Sequence, residues 1–221
     1  MQLSRIQTRV RDNVGWPSTS DLADTRINEA INYVYQHVIP AYLNWKGLQQ
    51  YVYMDLASGD NGNYDFDTYL LDASGGSAIG DRVRSLEPPI FLVIDATITE
   101  ILSVTYDMES FWDTFRPLTT ETSNQPTNAL IQARNIYIRP VPDATYVAKV
   151  LANMRPVALS APADEPVVDW AEAIIAGATA HINGDNEEDS ESKWWQKCYS
   201  FLSIEGQDEY SGPTPTMKGL W

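Results

Sequence analysis

The sequence predicts an α+β fold: a helical bundle formed by N- and C-terminal helices, a β-rich insertion built as a small antiparallel sheet or sandwich, and an extended C-terminal tail. Three observations predict it. Apolar residues recur at helical spacing near both ends, at Leu3, Ile6, Val10 and Val14 and again at Trp170, Ile174, Ala178 and Ile182. Between them the period changes to two, most plainly in residues 50–56 and 129–154. Beyond Glu205 no period remains, and residues 210–221 carry two prolines and two glycines. The chain therefore divides into a first part of the bundle at 1–47, a β-rich insertion at 48–160, a second part of the bundle at 161–205 and an arm at 206–221.

Each element has its own signal. The first helix carries Arg5, Arg9 and Arg11 away from its apolar stripe and stops at Gly15-Trp16-Pro17. Ser18 and Ser20 are N-cap candidates for the second helix, and Asp21 and Asp24 suit the positive end of its dipole. Ile27, Ile31, Val34 and Val38 form its buried stripe, with Tyr33 and Tyr35 off that stripe and Pro40 kinking or ending it. Residues 50–56 alternate as a strand, 58–63 turn, and 64–69 return from the turn. The Gly/Ser-rich stretch 73–78 is an exposed loop, and 98–106 and 111–116 read as further strands.

Residues 129–133 and 135–139 flank a tight turn at Arg134-Asn135. Pro140 and Pro142 then interrupt the ladder, because neither can donate a backbone hydrogen bond. The run 145–154 is expected to pair back and complete a three-stranded meander. A proline-spaced linker, 156–166, leads to the helix of Trp170 and Ile174, where Ala173, Ala176, Gly177 and Ala180 keep the surface thin enough for a second helix to approach closely. The last helix opens on the acidic run 187–191 and presents Trp194, Trp195, Cys198, Tyr199, Phe201 and Leu202.

Composition narrows the function. A net charge of -15 opposes nonspecific adhesion to a phosphate backbone, which needs clustered Lys and Arg. Tyrosines and tryptophans, 12 and 7, outnumber the 5 phenylalanines, a balance that favours interfaces where an aromatic body is buried and its polar tip stays wet. The single cysteine, Cys198, excludes an intramolecular disulfide framework and reads as packing. No run approaches the ~20 apolar residues of a spanning helix, and residues 1–6 lack the pattern of a signal peptide, so a soluble protein made in the cytoplasm, without a membrane partner, is expected.

Catalytic signatures do not assemble. His37 and His181 have no second His or Cys at ligand spacing, whereas metal sites use three or four such ligands. Aligning Gly62 with the glycine of an EF-hand loop puts Ala57 and Gly59 where carboxylates are required, so 55–67 reads as an ordinary hairpin loop. Asp107, Glu109 and Asp113 are close in sequence, but proximity means little among 30 acidic residues. Neither a nucleophile elbow nor a nucleotide-binding glycine pattern is present. No catalytic residue, metal or cofactor is expected.

The chain resembles the head-tail adaptor, or connector, proteins of tailed bacteriophages. The residues that carry the resemblance are the short first helix and residues 21–45 with their Ile27-Asn28-Glu29-Ala30-Ile31-Asn32 core. They continue with Arg116-Pro117-Leu118-Thr119-Thr120, the 135–146 strand and Pro-x-Pro-Asp turn, and 170–182 with its Ala176-Gly177-Ala178. The resemblance implies a noncatalytic virion protein of the head-tail junction, assembled in the host cytoplasm. Its copies would form a ring, commonly of twelve, under the portal protein, extend the DNA channel without specific binding, and dock the tail tube or nozzle protein. The portal-binding arm would be Tyr210, Pro213, Pro215, Met217, Leu220 and Trp221, with Leu220 and Trp221 as anchors. Arg5, Arg9, Trp170, Ile174, Trp194 and Trp195 would make subunit or bundle contacts. The other readings are a virion-associated wall hydrolase using the acidic residues near Asp107, and a carbohydrate-binding β module using exposed Trp and Tyr.

Overall fold

A computed structural model describes residues 1–16, 21–42, 46–72, 76–94, 99–115, 123–167, 170–185 and 190–209. In chain order come helices α1 (Leu3–Val14) and α2 (Asp21–Tyr33), a π-helical turn at Val34–Val38, and the short α3 (Ile39–Tyr42). Strands β1 (Gln49–Leu56) and β2 (Asn63–Asp65) are followed by α4 (Phe66–Tyr69), β3 (Val83–Val93), β4 (Thr99–Thr105) and α5 (Met108–Thr114). Then come β5 (Asn128–Gln132), β6 (Asn135–Arg139), β7 (Tyr146–Met154), α6 (Ala171–Asp185) and α7 (Glu191–Glu209). The chain forms two compact units, Met1–Asn44 with Pro156–Trp221, and Trp45–Arg155.

The second unit is a seven-stranded sheet in the order β1-β7-β3-β4-β5-β6-β2. All pairs are antiparallel except β4 and β5. Its curl follows from connectivity. The sheet's outermost strands, β1 and β2, are joined by residues 57–62 alone. Laid flat at ~4.8 Å per strand, seven strands would hold them about 29 Å apart, beyond the ~25 Å that such a linker spans when fully extended. The sheet therefore rolls, and the free edge of β1 is met by Leu71, with Tyr53 and Leu71 exchanging two backbone hydrogen bonds of 3.0 and 2.8 Å.

One face of every strand lines the inside of this roll. Alternate residues Val52, Met54 and Leu56 of β1, Ala148, Val150 and Ala152 of β7, and Ile136 and Ile138 of β6 are buried in one core with Tyr64, Phe66, Leu70, Ile90, Leu92 and Leu102. β3 keeps this face in register although it contains Pro88 and Pro89, because both prolines fall in a bulge between Glu87 and Ile90 where no ladder donor is needed.

This architecture corrects the expected helical bundle with a small antiparallel insertion: the sheet has seven strands, is mixed, and carries a full core of its own. Three local expectations change with it. β7 does not pair back on β6; after Pro140 and Pro142 the chain crosses over and β7 lies between β1 and β3. Residues 64–69 do not return along β1, since β2 pairs with β6 and Phe66–Tyr69 is helical, capped by Asp65 accepting from the Thr68 N–H at 2.9 Å. Residues 111–114, expected within a strand at 111–116, are helical instead: Asp107 accepts from the N–H groups of Glu109 and Ser110, starting α5, and the rings of Phe111 and Phe115 then meet at a tilt one turn apart, 5.2 Å between centroids.

The curl is held at the linker by a buried cation. Arg139, 7% exposed, donates from Nη1 to the carbonyls of Asn61, Gly62 and Ile138 at 3.0, 3.2 and 2.7 Å, and its guanidinium lies 5.2 Å from the Trp112 ring centroid. Gly62 has a φ of +67°, and a Cβ there would stand 2.4 Å from Arg139 Nη1 and 2.5 Å from the Ile138 carbonyl. Gly62→Ala is expected to cost about 2–4 kcal/mol in urea denaturation, through both backbone strain and displacement of Arg139. A loss below about 1 kcal/mol would show that the linker is not held this way.

Candidate interaction surface

In the other unit α6 is the buried helix. Alanine, glycine and isoleucine dominate it, and Ala173 to Ala180 are buried without a break. Thr179, 0% exposed, donates to the Ile175 carbonyl at 2.8 Å, so a polar residue is satisfied inside the helix itself. α1 lies on α6 through Leu3, Ile6 and Val10, and its first N–H groups, which have no partner in their own helix, donate to the carbonyls of Asp164 and Pro162 at 2.8 and 3.1 Å. The proline-spaced linker is tied to α2 and the π turn: Asn32 of α2 makes a two-way amide pair with the backbone of Leu159, at 3.0 and 2.8 Å, and Gln36 of the π turn donates to the Pro156 carbonyl at 3.1 Å. Within the linker, Asp164 accepts from the N–H groups of Ser160 and Ala161, both at 2.7 Å, which holds its carboxyl below the usual carboxylate range.

The helix containing Pro40 neither stops nor breaks there. Pro40 cannot donate to the preceding turn, and the chain widens into the π turn before resuming as α3. The extra residue rotates the next helical turn by roughly 100°. The buried stripe therefore continues at Ile39, and Val38, expected on it, is half-buried; Tyr35, expected off the stripe, follows Ile31 by four residues on the same face, is 1% exposed, and its hydroxyl accepts from the Val167 N–H at 2.8 Å. Tyr33 remains on the surface.

α7 commits only part of its apolar surface to the fold. Cys198 and Leu202 are fully buried, and at ~100° per residue they define the inward line. Trp194, Phe201 and Ile204 lie to one side: the first two are half-buried, Ile204 is 59% exposed, and Lys197 Nζ sits 4.4 Å over the Trp194 ring. Trp195 and Tyr199 lie to the other side, 6.0 Å apart, with Trp195 Nε1 donating to Glu191 at 3.2 Å. Tyr199 meets Tyr42 at 5.5 Å, while Tyr33 stacks on His181 at 4.5 Å and tilts against His37 at 5.7 Å. Burial, then the neighbouring Cys198, Tyr33 and Tyr42, push the Tyr199 hydroxyl above its ordinary pKa. Rings from α2, the π turn, α3, α6 and α7 thus form one strip, of which Tyr33, Tyr42 and Tyr199 are each more than two-fifths exposed.

The residues singled out from the sequence fall in four groups. Trp170 and Ile174, 3% and 0% exposed, pack inside the unit. Arg9 chelates Glu172 with both terminal nitrogens, and Arg11 pairs with Asp24, so both are engaged within the chain, while Arg5 is exposed on α1. Trp194 and Trp195 flank the buried line of α7 on opposite sides. The arm residues Tyr210, Pro213, Pro215, Met217, Leu220 and Trp221 lie outside the described residues. Sequence reasoning misses the grouping of Tyr33, Tyr42, His37 and His181: only the Tyr33–His37 contact has helical i, i+4 spacing, and the stacking of Tyr33 on His181 and the meeting of Tyr42 with Tyr199 cross between helices.

Among the described residues no group of three or more His, Cys, Asp and Glu side chains is placed to hold a metal ion, and no helix is long and apolar enough to cross a membrane. The carboxylate of Asp107 serves as the cap of α5. No family model matches the chain, and none of the curated proteins matches it in sequence.

The raised Tyr199 pKa fixes the sign of an alkaline effect. The folded state holds this proton more tightly than the unfolded chain, so its contribution is intact below the unfolded value near 10 and is lost as pH rises through the folded one. Tyr199→Phe is expected to flatten the fall of the urea midpoint above pH 10; an unchanged slope would remove Tyr199 from that fall.

Proposed function

We propose that this chain is a head-tail adaptor of a tailed bacteriophage, a noncatalytic protein whose copies form a ring between the portal and the tail tube or nozzle. The observation that carries the reading is the outer flank of α7. Trp194, Phe201 and Ile204 form an apolar surface on a long helix that the chain's own core leaves partly in water. Half-buried aromatic side chains in such a flank, here Trp194 and Phe201, are the composition of an interface hot spot. A heterologous contact of this flank with a different patch on the next copy generates a closed ring when the rotation closes. The motif resemblance supplies the rest of the reading: portal above, tail below, and a DNA channel whose walls, on a chain of net charge -15, hold little attraction for phosphate. The arm at 210–221 is assigned to the portal.

Light scattering and native mass spectrometry of the purified chain, alone and with a portal protein, test this. A discrete ring mass is expected, and Trp194→Glu with Ile204→Glu should weaken assembly by at least about tenfold while helix content stays unchanged, since a charge in an apolar contact costs well over 1.4 kcal/mol. A strictly monomeric chain that binds no portal would overturn the reading.

A further inference from the structure

The joint between α6 and α7 gathers oxygen atoms from both helices. Asn183, 2% exposed in the last turn of α6, donates from Nδ2 to the Ser190 hydroxyl at 2.8 Å, so its amide points into the joint. Its Oδ1 is buried there with no hydrogen-bond partner. One residue on, Gly184 makes room for a carboxylate: a Cβ would stand 2.9 Å from Glu191 Cδ and 3.0 and 3.3 Å from its two oxygens. That carboxylate therefore lies against the last turn of α6, the negative end of the helix dipole. We propose that this joint is a calcium site, with Asn183 Oδ1 and the Glu191 carboxylate as its ligands and Asp185 adding charge beside them.

Burial and charge support this. An oxygen taken out of water without a partner destabilises the fold, and a hard cation is one partner that meets it. The donors that touch the two ligand groups lie elsewhere: Asn183 Nδ2 is on Ser190, and Trp195 Nε1 approaches Glu191 Oε1 at 3.2 Å from its own helix. Among the described residues Glu191 has no ion pair. Asp185 meets Arg26 only at 3.7 Å, and with both side chains well exposed such a pair is worth little. In the sequence, Glu187, Glu188 and Asp189 fall within four residues of Asp185 and deepen the negative potential; the ligands are assigned without them.

Donor type selects the ion. Amide and carboxylate oxygens are hard ligands, which suit calcium or magnesium and not zinc. Calcium accepts an irregular shell of about six to eight oxygens that main-chain carbonyls and water can complete, so few carboxylates are needed, whereas magnesium demands a regular octahedron. Bound there, the ion ties the start of α7 to the end of α6.

This goes beyond the adaptor reading and does not rest on it. The full chain, stripped with EDTA, is titrated with calcium chloride at physiological salt by calorimetry. Saturable binding of one ion per chain is expected, with a Kd below about 1 mM. Glu191→Gln should weaken it at least about tenfold, and Asn183→Asp, which puts a carboxylate oxygen where Oδ1 stands, should tighten it at least about threefold. Glu165→Gln, which removes an exposed carboxylate elsewhere in the same unit, should leave it unchanged. Terbium supplies a second readout, because Trp195 contacts the Glu191 carboxylate and is placed to sensitise the emission of a bound ion. Calcium should displace that emission, and Trp195→Phe should lose most of it while still binding calcium. No saturable calcium binding, an affinity that Glu191→Gln leaves unchanged or Glu165→Gln lowers equally, or an Asn183→Asp chain that folds yet binds no tighter would overturn the proposal.

Discussion

The close approach of three helical segments at Gly177 is the contact on which the helical unit depends. A Cβ at this position would stand 2.8 and 3.0 Å from the two methyls of Val34 and 3.1 Å from the sulfur of Cys198. Any side chain there would require Val34 or Cys198 to shift. Val34 opens the π turn and Cys198 is the innermost residue of α7, so the missing side chain draws both elements onto α6 at one level. Tyr33 stands next to Val34, and Tyr199 next to Cys198, each facing away from α6's centre. Their meeting with Tyr42 and His181 on the surface is a by-product of packing at Gly177.

The sheet unit solves a different problem, that of joining its two outermost strands through a six-residue linker. Burying Arg139 against that linker is tolerated because three carbonyl oxygens and an aromatic face replace the water it gives up. A charged residue thus becomes a fixing point of the fold. Arg134 acts similarly on the next turn: it donates to the carbonyls of Val83 and Gly80 at 2.9 and 2.7 Å and pairs with Asp67.

Periodicity exposed some of this and concealed the rest, for identifiable reasons. The stripe Leu3, Ile6, Val10 is buried as its spacing demands, and the thin residues of α6 do sit against other helices. The β5–β6 hairpin follows from its turn, where Ala133 and Arg134 take positive φ, and β7 lies within one residue of its expected span. Alternation shows which face of a strand is inward and says nothing of its neighbour. β7 therefore paired with β1 and β3 against expectation. The two prolines disguised β3, and the Phe111/Trp112/Phe115 pattern suited either period until the Asp107 cap settled it. The aromatic strip was legible only as scattered tyrosines, because the contacts that join its i, i+4 pairs, Tyr33 on His181 and Tyr42 on Tyr199, arise from tertiary packing.

Hydrogen exchange of Gly177→Ala beside the parent chain measures the central contact most directly. If Gly177 sets the helical unit, amides around Val34 in the π turn and around Cys198 in α7 should lose protection at least about tenfold, equivalent to about 1.4 kcal/mol of local opening. Unchanged protection at both places would mean that α6 tolerates a side chain there, and the close approach at Gly177 would not be what brings the strip together.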